Sequence, residues 1–209
     1  LGATGLVGRE CVRQLLDDPS VARVIAVTRR PLSDDVASAK LGVEVVDFDR
    51  LALRGDLFAV DQIFCALGTT IKQAGSQEAF RRVDFEYALT AAKLGAEHGA
   101  QDFLLVSALG ASAKSRIFYN RVKGELEDAL RTLPYRSVTI VRPSLLLGDR
   151  AQFRLGEQVG RRIGWLVPGR YKPVSARRVA AALANAARDV TPGMRIIESN
   201  EIARTAAGK

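Results

Sequence analysis

Tyr119 and Lys123 stand four residues apart in a stretch with helical periodicity. That spacing projects both side chains from one helix face, one turn apart. An ammonium beside a phenol favours the phenolate, so such a tyrosine can exchange a proton nearer neutral pH. A second constellation opens the chain. Gly2, Gly5 and Gly8 follow a G-x-x-G-x-x-G spacing ahead of an amphipathic run and then a β-rich run. Gly2 permits a tight turn, Gly5 lets backbone approach a pyrophosphate, and Gly8 lets the following helix lie close to a sheet. Free N–H groups at that helix start would then face phosphates. Ser107 ends an apolar run shortly before Tyr119. A hydroxyl there can donate to a substrate oxygen and so complement Tyr119.

Other strand ends add candidate contacts. The β-rich run 24–27 leads into Thr28, Arg29 and Arg30. An NAD site ordinarily offers Asp or Glu at that point for the ribose hydroxyls. Paired guanidinium groups suit a 2′-phosphate instead, and predict NADP(H) in preference to NAD(H). Asp47 and Phe48 follow the next run, where an adenine edge would lie. Leu67, Gly68 and Thr69 end a further run and could line the ribose and phosphate crevice outside the strand ends. Arg142 ends the run 138–141 and would border the nicotinamide side.

The elements needed to position these groups can be read from the pattern. Short β-rich runs at 24–27, 43–46, 62–66, 103–106 and 138–141 alternate with helical patterns at 7–16, 77–98 and 118–130. Such alternation predicts an α/β fold, a doubly wound parallel sheet covered on both faces. Beyond Pro143 a helix is expected over 175–188, a strand over 194–197 and a short helix over 200–206. In a βαβ dinucleotide fold a strand precedes the glycine turn and lies mid-sheet. The chain begins at Leu1, directly before the turn, so that first strand is expected to be missing from the sequence given. The 209 residues fit one domain over 1–209, with residues 148–173 as a substrate-side wall and 190–209 as a C-terminal addition. Phe153, Trp165, Leu166 and Tyr171 give that wall an apolar character.

Composition narrows the function classes. Apolar residues make up 47% and charged residues 26%, as in ordinary globular chains. No apolar run reaches membrane-spanning length, so no membrane span is expected. Cys11 and Cys65 read as small core residues in a reducing compartment, and the expected location is cytoplasmic. The lone His98 has no ligand-like neighbours, and no metal site is expected. The net charge of +8 suits a phosphate-rich ligand. The arginines come as scattered pairs, without a long basic run or an aromatic platform, so no specific nucleic-acid partner is expected.

Together, the glycine turn, Ser107, Tyr119 and Lys123 resemble the short-chain dehydrogenase/reductase superfamily in order and approximate spacing. More narrowly, the stretches 65–70, 82–84, 107–111, 119–125, 142–149 and 198–209 resemble its atypical Tat-interacting oxidoreductase-like branch. The resemblance implies that Tyr119 exchanges the proton, Lys123 holds the nicotinamide ribose, and Ser107 orients a carbonyl or alcohol. It also implies that Gly2, Thr4, Gly5, Leu6, Val7 and Gly8 form the pyrophosphate turn. Asp84 stands where the classical branch uses a helix asparagine in its proton relay. A homodimer through the helices at 77–98 and 118–130 would be typical of the superfamily. The expected function is NADP(H)-dependent hydride transfer to or from a small-molecule carbonyl or alcohol. The alternative is an NADPH-binding sensor or scaffold with little redox turnover. The substrate is open among sugar nucleotides, quinones and small carbonyls.

Overall fold

The computed structural model describes residues 1–32, 37–147 and 171–205. Six strands form the core: β1 (Val24–Thr28), β2 (Leu41–Val45), β3 (Gln62–Cys65), β4 (Asp102–Val106), β5 (Ser137–Arg142) and β8 (Gly193–Glu198). β1 pairs with β2, while β3, β4, β5 and β8 hydrogen-bond in that order, every pair parallel. A short parallel pair, β6 (Leu146–Leu147) with β7 (Val174–Ser175), lies apart from them.

Burial follows from the pleat. All five residues of β4 are buried, which only a sheet covered on both faces allows. Phe103 and Leu105 join one apolar cluster with Ala88, Ala91, Leu126 and Leu130. Leu104 and Val106 join another with Val7, Cys11, Val179 and Leu183. Successive side chains point to opposite faces, so one strand feeds both cores. The first face is covered by α4 (Tyr87–Glu97) and α5 (Phe118–Leu130). The second is covered by α1 (Leu6–Asp17) and α6 (Ala176–Arg188). This is the doubly wound arrangement expected from the alternation of runs.

A cavity of about 630 Å3 lies between the edges of β1 and β3 and is lined by Val24, Ala26, Ile63 and Phe64. Leu1 pairs along it, donating its amine to the Phe64 carbonyl at 2.7 Å and accepting from the Ala66 amide at 3.0 Å. Gly8 and Ala66 line the cavity, whereas Ser107, Tyr119 and Lys123 do not.

Three features depart from the pattern read in sequence. The helical run over 77–98 is not one helix. It comprises α3 (Gln77–Arg81), a π-helical turn over Arg82–Glu86, and α4. Residues after β2 fold into 3-10 turns over Phe48–Leu53 and Gly55–Phe58, which bury Phe48, Leu51, Leu57 and Phe58. A short helix α2 (Ile71–Ala74), capped by the Thr70 hydroxyl, follows the loop after β3. The terminal helix α7 spans Ser199–Thr205. Of the expected substrate-side wall, residues 148–170, with Phe153, Trp165 and Leu166, lie outside the described residues. Tyr171 is exposed. Among the described residues, no helix is long and apolar enough to cross a membrane.

Candidate functional site

The glycine turn is built by close approach. Gly2 has φ +82°, and a Cβ there would stand 2.5 Å from the Ala66 carbonyl oxygen at the exit of β3. A Cβ on Gly8 would stand 2.0 Å from the Gly2 carbonyl oxygen, so α1 can start this close to the turn only with glycine there. Gly5 closes the turn by donating to the Gly2 carbonyl at 2.9 Å. It is also the N-cap of α1, and no side chain caps the helix. First-turn N–H groups have no intrahelical partner, which suits an anion. Thr4, Gly5 and Leu6 are exposed at the mouth of this cradle, while Val7 and Gly8 are buried beneath it. Arg29 and Arg30 are exposed immediately after β1. The free amides of the turn fit a dinucleotide pyrophosphate.

Asp47 and Phe48 divide their roles. Asp47 is exposed and accepts the Asp49 amide at 3.0 Å, capping the 3-10 turn. The Phe48 ring is buried and meets Tyr87 edge-on at 5.6 Å. It faces the core, so of the two residues expected at an adenine edge only Asp47 is exposed.

The turn abuts the loop 66–70, which leads to the chemical groups. Leu67 is buried, Gly68 is exposed, and the Thr69 amide donates to Asp84 Oδ2 at 2.9 Å. Asp84 Oδ1 in turn lies 2.8 Å from Lys123 Nζ. Burial opposes the Lys123 charge, but the Asp84 carboxylate and the Tyr119 phenol raise its pKa above the ordinary lysine value. Burial pushes the Asp84 carboxyl up, with Lys123 and the Thr69 amide pulling the other way.

Tyr119 packs on the Phe80 ring at 5.4 Å, one helical turn before Lys123. Burial raises its phenol above the ordinary value, Lys123 lowers it, and Asp84 raises it. The ammonium of Lys123 draws on the phenol, and the carboxylate behind that ammonium works against it. Gly124 sets how close α5 comes to the loop after β4. A Cβ there would stand 2.1 Å from the Ser112 carbonyl carbon.

Ser107 is buried and donates its hydroxyl to Glu127 Oε1 at 2.5 Å. An ionised carboxylate only accepts, so the Ser107 proton points to Glu127 and its lone pairs remain for other partners. Donation to a substrate oxygen, as expected from sequence, requires that hydroxyl to turn away from Glu127. Arg142 Nε donates to the same Oε1 at 3.0 Å and Nη2 to Oε2, while Nη1 donates to Glu198 at 3.0 Å. The guanidinium expected beside the nicotinamide is thus engaged on both sides by carboxylates.

The structure therefore brings together Gly2, Gly5 and Gly8 with the loop 66–70, and that loop with Lys123 through Asp84. It turns Phe48 and Arg142 inward. Glu127 went unnoticed in sequence, although its signal was present. It stands four residues after Lys123, so Tyr119, Lys123 and Glu127 share one face of α5.

Comparison with known proteins shows the family and the fold. A family profile described as NAD(P)H-binding matches residues 2–190. Protein FMP52, mitochondrial, of Candida albicans is 35% identical over 189 residues, covering 86% of this chain and 82% of that protein. Protein HTATIP2 of Rattus norvegicus is 35% identical over 170 residues, covering 80% and 70% respectively. Among solved structures, an oxidoreductase of the short chain dehydrogenase/reductase family from Burkholderia thailandensis superposes with TM-score 0.72 at 20% identity. It covers 97% of this chain and 90% of that one, and shows the shared fold. The relatives overturn one expectation, the cytoplasmic location. The Candida protein and other fungal relatives are named mitochondrial. Cys11 and Cys65 are both free and buried, which does not choose a compartment.

Proposed function

This chain belongs to the NAD(P)H-binding family, on the HTATIP2-like branch of the atypical short-chain dehydrogenases/reductases, and on that footing we propose that it is an NADP(H)-dependent oxidoreductase acting on a carbonyl or alcohol. The observation that carries the proposal is continuity: the glycine turn touches Ala66, and the loop that follows binds Asp84, which holds Lys123 one turn from Tyr119. A cofactor laid from the turn along that loop would end at a proton donor.

Gly2, Thr4, Gly5, Leu6, Val7 and Gly8 hold the pyrophosphate in this proposal, and Arg29 and Arg30 the 2′-phosphate. Asp47 borders the adenine, with Phe48 supporting it from the core. Leu67, Gly68 and Thr69 line the ribose side. When bound, the nicotinamide supplies or takes the hydride. Tyr119 gives its phenolic proton to the carbonyl oxygen in reduction, the form its raised pKa favours at neutral pH. Lys123, held protonated, binds ribose hydroxyls with the donors Asp84 leaves over and offsets charge on the phenolate once the proton has gone. Ser107 orients the substrate oxygen, and Arg142 supports it through Glu127.

Tyr119→Phe is expected to keep NADPH affinity and to lower any carbonyl-dependent NADPH oxidation by at least about a hundredfold, as loss of a general acid does. An unchanged rate would remove Tyr119 from the mechanism. One observation favours a second reading. The Ser107 proton is committed to Glu127, which suits an NADPH-binding sensor with little turnover. Tight NADPH binding with no oxidation across a panel of small carbonyls, quinones and sugar nucleotides would favour the sensor.

A further inference from the structure

Asp84 is 1% exposed and carried by the π-helical turn Arg82–Glu86. Such turns are rare and frequently mark functional positions. Here the turn delivers one carboxylate to two other elements. Oδ1 meets Lys123 Nζ on α5 at 2.8 Å, and Oδ2 takes the Thr69 amide of the loop after β3 at 2.9 Å. A Cβ on the exposed Gly68 would stand 3.6 Å from Asp84 Oδ1 and 3.8 Å from Lys123 Nζ, so the ion pair lies directly beneath that loop. A buried ion pair is weak evidence for stability, because desolvation offsets its attraction. Its place at the junction of three elements of the site points to another role.

We propose that Asp84 is a positioning residue of this site, holding the Lys123 ammonium and the loop 66–70 in one fixed arrangement. The proposal rests on the reading of Tyr119 and Lys123 as the proton-exchanging pair. It has an electrostatic consequence. Among the described residues, the charged groups that act on Tyr119 are Lys123 on its own helix and Asp84 from the π-helical turn, and the Phe80 ring of α3 packs against it. Burial does most to keep Tyr119 a phenol, and Asp84 adds to it by offsetting part of the pull of Lys123, so the site is set to donate a proton. Without the carboxylate, the ammonium would act on the phenol unopposed.

The test is a spectrophotometric phenolate titration of the cofactor-free protein, with Tyr119→Phe assigning the signal, run beside NADPH affinity and thermal melting. In Asp84→Asn the Tyr119 midpoint is expected to fall by about one pH unit or more, with about tenfold weaker NADPH binding. A merely structural role would lower the melting temperature and leave that midpoint in place, which would overturn the proposal. Should Asp84→Asn not fold, Asp84→Asn/Lys123→Met removes both charges and leaves no buried ammonium unpaired. There the midpoint is expected at or above the wild-type value, and a lower one would overturn the proposal. The titration needs no cofactor. A wild-type protein that binds no NADPH would therefore defeat the proposed function while the titration still decides the role of Asp84.

Discussion

Three influences compete at Tyr119: burial and Asp84 hold its proton, and Lys123 draws it off. A tyrosine so balanced serves reduction better than oxidation, and any reductase rate is expected to fall at alkaline pH as the phenol titrates. The cationic end of the site is tested separately. Replacing Arg29 and Arg30 together by alanine is expected to weaken NADPH by about tenfold or more, the scale of lost charge-assisted hydrogen bonds, and NADH much less. Equal losses in parallel binding titrations would sink the 2′-phosphate assignment. Glu127→Gln leaves the buried side of Arg142 without its carboxylate and is expected to cost about 3 kcal/mol in denaturant unfolding. At this scale, residue types and spacing disclosed Tyr119, Lys123 and the glycines, because their chemistry depends on local geometry. The inward turn of Phe48 and Arg142 was not legible. Each is decided by a partner outside its own run of sequence, Tyr87 for Phe48 and Glu127 for Arg142.

Among the elements, α1 and α5 are placed by single glycines. Gly8→Ala would drive a methyl into the Gly2 carbonyl, and Gly124→Ala into the backbone at Ser112 and Ala113. Each is expected to destabilise by about 1–3 kcal/mol, as overpacking does. Gly8→Ala should also weaken cofactor binding in the folded protein, whereas Gly124→Ala should chiefly displace Tyr119 and lower turnover. Calorimetric titration at a temperature where both remain folded separates the two effects. The strands were legible because burial on both faces leaves near-continuous apolar runs, as in β4 and β5. The π-helical turn was hidden, since Arg82, Val83 and Asp84 sit within an unbroken helical pattern and a one-residue widening leaves no compositional mark. The 3-10 turns after β2 were likewise obscure, being too short to show a period.

Over the whole molecule, the glycine-turn helix is tied to the C-terminal half by Asp18 and Arg188, whose Nε donates to the carboxylate at 2.7 Å. The Ser20 hydroxyl and amide, then Arg188, hold the Asp18 carboxyl down from 3.8 to about 2. A carboxyl depressed on folding contributes stability above its unfolded pKa and loses it as pH falls through the folded one. The melting temperature is therefore expected to drop as pH falls from about 4 toward 2, and to drop less in Asp18→Asn. The same slope in both proteins would remove Asp18 from acid stability. The doubly wound architecture could be read in advance because a repeating alternation of runs admits few topologies. The location could not, because composition reports the redox state of a compartment and not its identity. The most direct test of the account is calorimetric titration of the protein with NADPH and with NADH. The account predicts one site per chain for NADPH and markedly weaker binding of NADH. No binding of either would contradict it, and would leave the glycine turn as a structural device alone.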